Sequence, residues 1–233
     1  MSPPGAAAAA LVGGIVWLGL SWPGLAVLAA FLVTGSLLTP GGGRRSPLQV
    51  LANGGVPALC AVLARSDPGF ALAFAGAVAA ATADTWSTEI GARTSGTTVL
   101  ITTLKPVSPG VSGGISALGT AAGLAGAVVI AAVATALGIA ELRSALWIVV
   151  AGLAGSLTDS LAGAVIQARW RCSCGALIET GTHGCGGTSS LSSGFRIVTN
   201  DSVNFMATLV GAAVAALPSL MTSGTAVPAG IAG

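Results

Sequence analysis

An all-α bundle of about seven membrane-spanning helices, with its N-terminus inside, is the fold class this sequence predicts. Three observations predict it. Only 7% of the 233 residues are charged while 53% are hydrophobic, whereas soluble domains carry about 25% charged residues. So few charges cannot cover a water-exposed surface, and mean hydropathy is +0.90, so the solvent is lipid. Apolar runs near the roughly 20 residues that cross a hydrocarbon core recur along the chain. The basic residues fall in alternate connections, the bias expected of inward-facing loops. Thirty-five glycines and abundant alanine suit helices that pack closely through small residues. A low-complexity secreted chain is the alternative, and long apolar runs with positioned charges argue against it. The whole chain, 1–233, reads as one integral membrane domain.

The first candidate span, 5–22, is followed by the second, 24–39, across SWPG, whose Pro23 and Gly24 break helix. The second is short and suits a tilted or partly inserted hairpin arm. The N-terminus lacks the basic start of a cleaved signal peptide and the Arg- and Ser-rich character of a transit peptide. A bacterial or archaeal cell (inner) membrane is therefore the expected location. GGGRRS then places Arg44 and Arg45 after a flexible glycine turn. The third span, 47–64, opens with Gln49 and Asn53 one helical turn apart on one face.

The fourth span, 69–90, ends in ATADTWSTEIG, which sets Asp84 and Glu89 among hydroxyl residues. On an ideal helix they lie about 140° apart. They share a site only if the helix loosens near Trp86 or the site spans two faces. The loop 93–112 runs into TTLKPVSPGVSGGIS, with Lys105, the chain's single lysine, and Gly110, Gly113 and Gly114 before a fifth span over 113–139. The sixth, 144–168, carries Asp159 in GSLTDSLAGA. The seventh, 202–222, is entered through TNDSVNF, with Asp201 and Asn204.

Orientation follows from the charges. Arg44 and Arg45, Arg93 and Lys105, and Arg169, Arg171 and Arg196 occupy alternate loops. The other connections hold Arg65 and Arg143, each near an acid, Asp67 or Glu141. The basic loops belong inside, so the C-terminus lies outside.

Of the seven acidic residues, Asp84, Glu89, Asp159 and Asp201 then converge at one depth near the inner face, with Glu179 in an inner loop. A charged side chain within the bilayer costs roughly 2.5–3.5 kcal/mol on insertion scales. Four at one level predict a shared cavity, counter-charges or a metal; separate acids each bonded to a neighbouring helix are the alternative. Short carboxylates beside hydroxyls are hard oxygen ligands of the kind Mg²⁺ prefers, and Mg²⁺ also takes substrate phosphates. The glycine-rich approach to the fifth span can offer backbone N–H groups and a helix N-terminus to a phosphate. A plain turn would look the same. AATADTW and GSLTDSL are similar enough to suggest a weak internal repeat.

GGGRRSPLQVLANGG, ATADTWSTEIG, ITTLKPVSPGVSGGISALGT, GSLTDSLAGAVIQ and NDSVNFMAT together resemble, in order, the signatures of the phytyl-phosphate kinase family of integral membrane proteins. The resemblance extends from about Thr34 to Leu209. It implies phosphorylation of an isoprenoid monophosphate, phytyl or another prenyl phosphate, to the diphosphate. A nucleoside triphosphate, CTP foremost, would be the donor. The residues suit that chemistry, which needs alignment, Mg²⁺ and positive charge. Asp84, Glu89, Asp159 and Asp201 would hold Mg²⁺, with Asp84 or Asp159 also able to act as a base. Arg44, Arg45 and Lys105 would neutralise donor and acceptor phosphates. Asn53 and Asn204 would bond phosphate or a metal-bound water, and Gly113 and Gly114 would contact phosphate. The GxxxxGK[ST] pattern is missing, which excludes a soluble-type P-loop.

The inner loop 169–200 contains RCSCGALIETGTHGCGG. Cys172, Cys174, His183 and Cys185 match a Cys₃His zinc set in residue type but not in the usual CxxC spacing. A small zinc knuckle and free thiols are both open, and Cys60 reads as a packing residue. Expected partners are a nucleoside triphosphate, a prenyl phosphate and the membrane, with no nucleic acid and with self-association open. Two further function classes stay in view. A CTP-dependent cytidylyltransferase-like lipid enzyme would use the same metals but release pyrophosphate. A cation-coupled transporter would use intramembrane acids without nucleotide.

Overall fold

A computed structural model describes residues 2–39, 45–93 and 95–223. Helices dominate: α1 (Pro3–Leu38), α2 (Pro47–Leu63), α3 (Gly69–Gly91), α4 (Ala117–Ala136), α5 (Leu142–Val165) and α6 (Asn200–Ser223). Of these, α1, α4, α5 and α6 are each long and apolar enough to cross a membrane, while α2 is apolar but has 17 residues. Their outward faces carry exposed Leu11, Trp17, Leu37, Leu146 and Leu161, among others, a belt suited to lipid.

The expected first two spans are assigned as the single helix α1, but Ser21 within it is non-helical, at φ 53° and ψ −151°. The break therefore sits just before Pro23–Gly24, the residues expected to make it. An unbroken helix would hold residues 13 and 25 about 18 Å apart. Instead Gly13 lies against the Leu25 side chain, and Gly24 against Leu20 and Val16. The two halves of α1 thus fold back on each other. The first half runs alongside α2, with Gly54 against Val12 and Gly19 against the Ala61 backbone.

Local sequence explains the helix starts. Ser2 and Ser46 each accept a hydrogen bond from the backbone N–H three residues on, and Pro3 and Pro47 follow them in the first turn. Ser116 caps α4 in the same way, accepting from Gly119 N. A strand precedes that cap, so α4 starts at Ala117 rather than at the expected 113.

At the centre stands α3, buried continuously from Ala73 to Ala83. A helix apolar on every face belongs inside a bundle. Its small residues admit neighbours closely: Gly76 packs on Ala215 and the Gly211 backbone of α6, and Gly155 of α5 packs on Ala80.

The sequence did not foretell two small antiparallel sheets in the loops. The first has β1 (Thr98–Leu100) between β2 (Pro106–Val107) and β3 (Gly114–Ser116); the second has β4 (Arg169–Cys172) between β5 (Leu177–Ile178) and β6 (Ser189–Ser193). Both adjoin the same end of the bundle, where α3 and α5 finish and α4 and α6 begin.

Candidate active site

Close packing of α3 and α5 builds the site. Gly155 abuts Ala80, and one helical turn further along each helix stand Asp159 and Asp84. The two side chains line the same two pockets, and Asp159 Oδ1 is buried without a hydrogen-bond partner among the described residues. A buried acceptor left unsatisfied is costly, and a cation is the partner a carboxylate pair would take.

Two pockets meet at this pair. The first, about 170 Å³, is lined by Asp84, Asp159, Ser87, Ser156, the turn 110–116 and Glu179. The second, about 240 Å³, reaches Asp84 and Asp159 from the other side. Its polar lining is Arg45, Gln49, Asn53, Glu89 and Asn204, and its apolar wall includes Val12, Leu28, Phe31 and Leu32. Thr88 and Asn200 also line both pockets.

The first pocket is walled by backbone. Gly113 has φ +81° and lies against the Ala164 backbone, so a side chain there would meet both strain and a neighbour. Arg169 holds this turn by donating to Ser112 O and Gly163 O, and the Ser112 hydroxyl donates to Gln167 Oε1 at 3.0 Å. The N-terminal turn of α4, with Ser116, Gly119 and Thr120, forms another side and favours an anion.

In the second pocket, the Arg45 guanidinium lies over the Phe31 ring, 5.3 Å from its centroid. Asn53 Nδ2 donates to Gln49 O at 3.1 Å. Glu89 Oε1 accepts from the Thr39 hydroxyl at 2.8 Å, and Glu89 Oε2 lies 3.4 Å from Arg93. Glu89 therefore shares a pocket with Asp84 despite the angle between them, because the site spans two faces of α3.

Asp84, Glu89, Asp159, Arg45, Asn53, Asn204, Gly113 and Gly114 thus line one pocket or both. Arg44 lies outside the described residues. Asp201 lines neither pocket; it sits in the first turn of α6, where a negative charge complements the helix dipole, and its neighbour Asn200 faces the site instead. Lys105 is exposed in the β1–β2 connection, with its backbone accepting from Leu100 N at 2.9 Å, and lines neither pocket. The sequence assigned it a phosphate. From its position, Lys105→Ala is expected to lower turnover by less than about tenfold, against the hundredfold or more typical of removing a direct electrostatic stabiliser. Steady-state rates of purified Lys105→Ala and wild-type protein measure this.

Glu179 was not foreseen in the site. It follows β5, lines the first pocket beside Asp159, and has Gln167 and Arg169 near it. Burial raises its carboxyl above the ordinary 4.5, against the opposing pull of Arg169 and Gln167. The folded protein therefore binds this proton more readily than the unfolded chain does. The resulting cost is absent below the ordinary value and grows as pH rises through the raised one. Glu179 keeps much of its surface exposed, so solvent screens this cost, and Glu179→Gln is expected to raise the melting temperature of the ligand-free protein only slightly near neutral pH, with no gain at acidic pH. Thermal unfolding across that pH range tests it.

The Mg²⁺ expected from the sequence fits this donor set. Asp84 and Asp159 provide two carboxylates beside hydroxyls, and Mg²⁺ is commonly held by one or two carboxylates plus phosphates and water.

Comparison with known proteins agrees with this architecture. Residues 1–212 match the family described as "Integral membrane protein DUF92". The chain is 27% identical over 189 residues to an uncharacterized membrane protein of Synechocystis sp., covering 73% of each. It is 30% identical over 207 residues to Protein PGR of Arabidopsis thaliana, covering 77% of this chain and 70% of that one. To Protein VTE6, chloroplastic, of the same plant it is 29% identical over 238 residues, covering 93% of this chain but 65% of the relative, just under two thirds of that protein's length. No solved structure matches. With the family signature running through nearly every described helix, the chain belongs to the DUF92 family of integral membrane proteins.

Proposed function

We propose that this protein is a membrane kinase that transfers a phosphoryl group from a nucleoside triphosphate, CTP foremost, to a prenyl monophosphate, giving the diphosphate. The observation that carries the reading is the meeting of two unlike pockets at Asp84 and Asp159. One is glycine-walled and polar, suited to the triphosphate. The other joins Arg45, Asn53, Asn200 and Asn204 to an apolar wall, suited to a phosphate on an isoprenoid tail. The phytyl-phosphate kinase resemblance and the similarity to Protein VTE6 over most of this chain support it.

Bound Mg²⁺ would neutralise and align the donor phosphate oxygens. The chain's own part is positional. The backbone of 110–116 and the α4 N-terminus hold the donor; Arg45, Asn53 and Asn204 hold the acceptor phosphate. An acceptor phosphate oxygen attacks the donor's γ-phosphorus, the bond from that phosphorus to the β–γ bridging oxygen breaks, and the nucleoside diphosphate leaves. Where the acceptor is still protonated, Asp84 or Asp159 takes the proton.

Purified protein supplied with Mg²⁺, each nucleoside triphosphate and a panel of prenyl monophosphates should yield prenyl diphosphate and nucleoside diphosphate by mass. Release of pyrophosphate with a nucleotidylated lipid would identify a cytidylyltransferase instead. Neither product, with nucleotide-independent cation binding, would indicate a transporter.

The proposed setting is a cell membrane with the site facing the cytoplasm. Single cysteines placed near Arg65 or Glu141 in intact cells should then react with a membrane-impermeant thiol reagent, and cysteines near Arg45, Lys105 or Gly187 should not. Outside labelling near Lys105 would overturn the orientation.

A further inference from the structure

The loop after α5 gathers four soft ligands that the phosphoryl-transfer reading does not use. Cys172 and Cys174 flank the end of β4, and His183 and Cys185 lie in the turn before β6. Their Sγ and ring nitrogen atoms all fall within 4.8 Å of one another. Cys172 Sγ is 3.3 Å from Cys185 Sγ, and His183 Nδ1 is 3.3 Å from Cys174 Sγ and 3.0 Å from Cys185 Sγ. A tetrahedron with Zn–S of about 2.3 Å and Zn–N of about 2.0 Å has edges of roughly 3.5–3.8 Å, so a small outward adjustment admits the ion.

Two turns present these ligands. After the first pair, Gly175 takes φ +92° and donates to Cys172 O at 2.8 Å. After the second, Gly186 takes φ +73° and donates to His183 O at 3.1 Å, and Gly187 N donates to Cys185 Sγ at 3.4 Å. The one-residue spacing within each pair departs from CxxC, yet the fold supplies the convergence that the spacing alone does not promise.

We infer that Cys172, Cys174, His183 and Cys185 form a closed, four-coordinate structural zinc site that braces the second sheet against the first pocket. The ligand pairs bracket β5 and Glu179, the residue this sheet contributes to that pocket. The same sheet begins with Arg169, which holds the 110–116 turn. Strands as short as β4, β5 and β6 provide little burial of their own, and a metal is how small folds of this kind are commonly held.

The test uses the whole protein in detergent. Metal analysis should find about one zinc per chain. Replacing zinc with Co²⁺ should give thiolate-to-cobalt charge-transfer absorption and the strong visible bands of a tetrahedral site. With zinc bound, an alkylating reagent should leave Cys172, Cys174 and Cys185 unmodified; after chelation it should modify all three. Cys174→Ser and Cys185→Ser should lose the zinc and the cobalt spectrum, while Cys60→Ser, in the buried face of α2, should keep both. Should the loop variants fold poorly, the wild-type cobalt spectrum and alkylation pattern still decide. Wild-type protein that takes up no metal from zinc-supplied buffer, or that carries a Cys172–Cys185 disulfide by mass, would overturn the site. These readouts are independent of any kinase activity, so failure of the zinc site and failure of the proposed reaction are distinguishable.

Discussion

Asp159→Asn is expected to lower turnover by at least about a thousandfold, and Asp84→Asn by a similar factor, while each protein stays folded in the membrane. The two carboxyls lie where the pockets join, and Asp159 Oδ1 has no hydrogen-bond partner among the described residues. A metal held there would lose half its protein ligands in either variant, and losing even one electrostatic stabiliser costs about 10²–10³ in rate. Stability should move the other way. Two buried carboxyls repel each other and resist desolvation, so an amide at one position should leave the empty protein at least as resistant to heat. A mainly structural role predicts the reverse, with reduced stability and preserved rate per folded molecule. Turnover normalised to folded protein, together with thermal unfolding with and without Mg²⁺, separates these outcomes. Near-normal turnover in both variants would remove the pair from the chemistry.

The parts of the molecule legible in the sequence are those governed by long apolar runs. The helices after the first lie close to their expected positions because hydrophobicity sets their length. The glycine and alanine content signals close helix packing in general, and the α3–α5 contact at Gly155 and Ala80, one turn from Asp159 and Asp84, is where the structure uses it. What escaped depends on local backbone geometry. Strands of two to five residues in Gly- and Ser-rich loops leave no periodicity to read, and β3 replaced the expected start of the fifth span because Gly114–Ser116 pairs with β1. Glu179 looked like a loop acid because nothing near it signals that the second sheet turns it toward Asp159. Lys105 and Asp201, nominated by charge and by their place in the family signatures, line neither pocket, because one lies in an exposed strand connection and the other in a helix first turn. In TNDSVNF, Asn204 lines the second pocket as expected, and Asn200, beside Asp201, lines both.

Arg45 carries the second large effect. Arg45→Ala is expected to reduce kcat/KM for the prenyl phosphate by about 10²–10³, with little change in nucleotide affinity. The reason is geometric. Arg45 lines the pocket that has the apolar wall and does not line the one formed by the 110–116 turn. The guanidinium is held over the Phe31 ring, 5.3 Å from its centroid, inside the pocket, and a planar fork pairs with phosphate oxygens two at a time. Lys keeps the charge but neither the fork nor the stacking, so Arg45→Lys should recover part of the loss. The competing role is that of a brace. The Arg45 carbonyl accepts from the Ser2 hydroxyl at 3.0 Å, and its guanidinium lies beside Gly35, so the residue also ties α2 to both halves of α1. The backbone contact survives substitution, whereas the stacking does not. A pure brace would therefore lower thermal stability in Arg45→Ala without shifting acceptor KM, and inorganic phosphate would inhibit variant and wild type alike. A phosphate ligand predicts weaker inhibition by phosphate in the variant, a raised acceptor KM, and partial recovery of both in Arg45→Lys. Acceptor and nucleotide kinetics measured on all three proteins, alongside their melting temperatures, decide between the two.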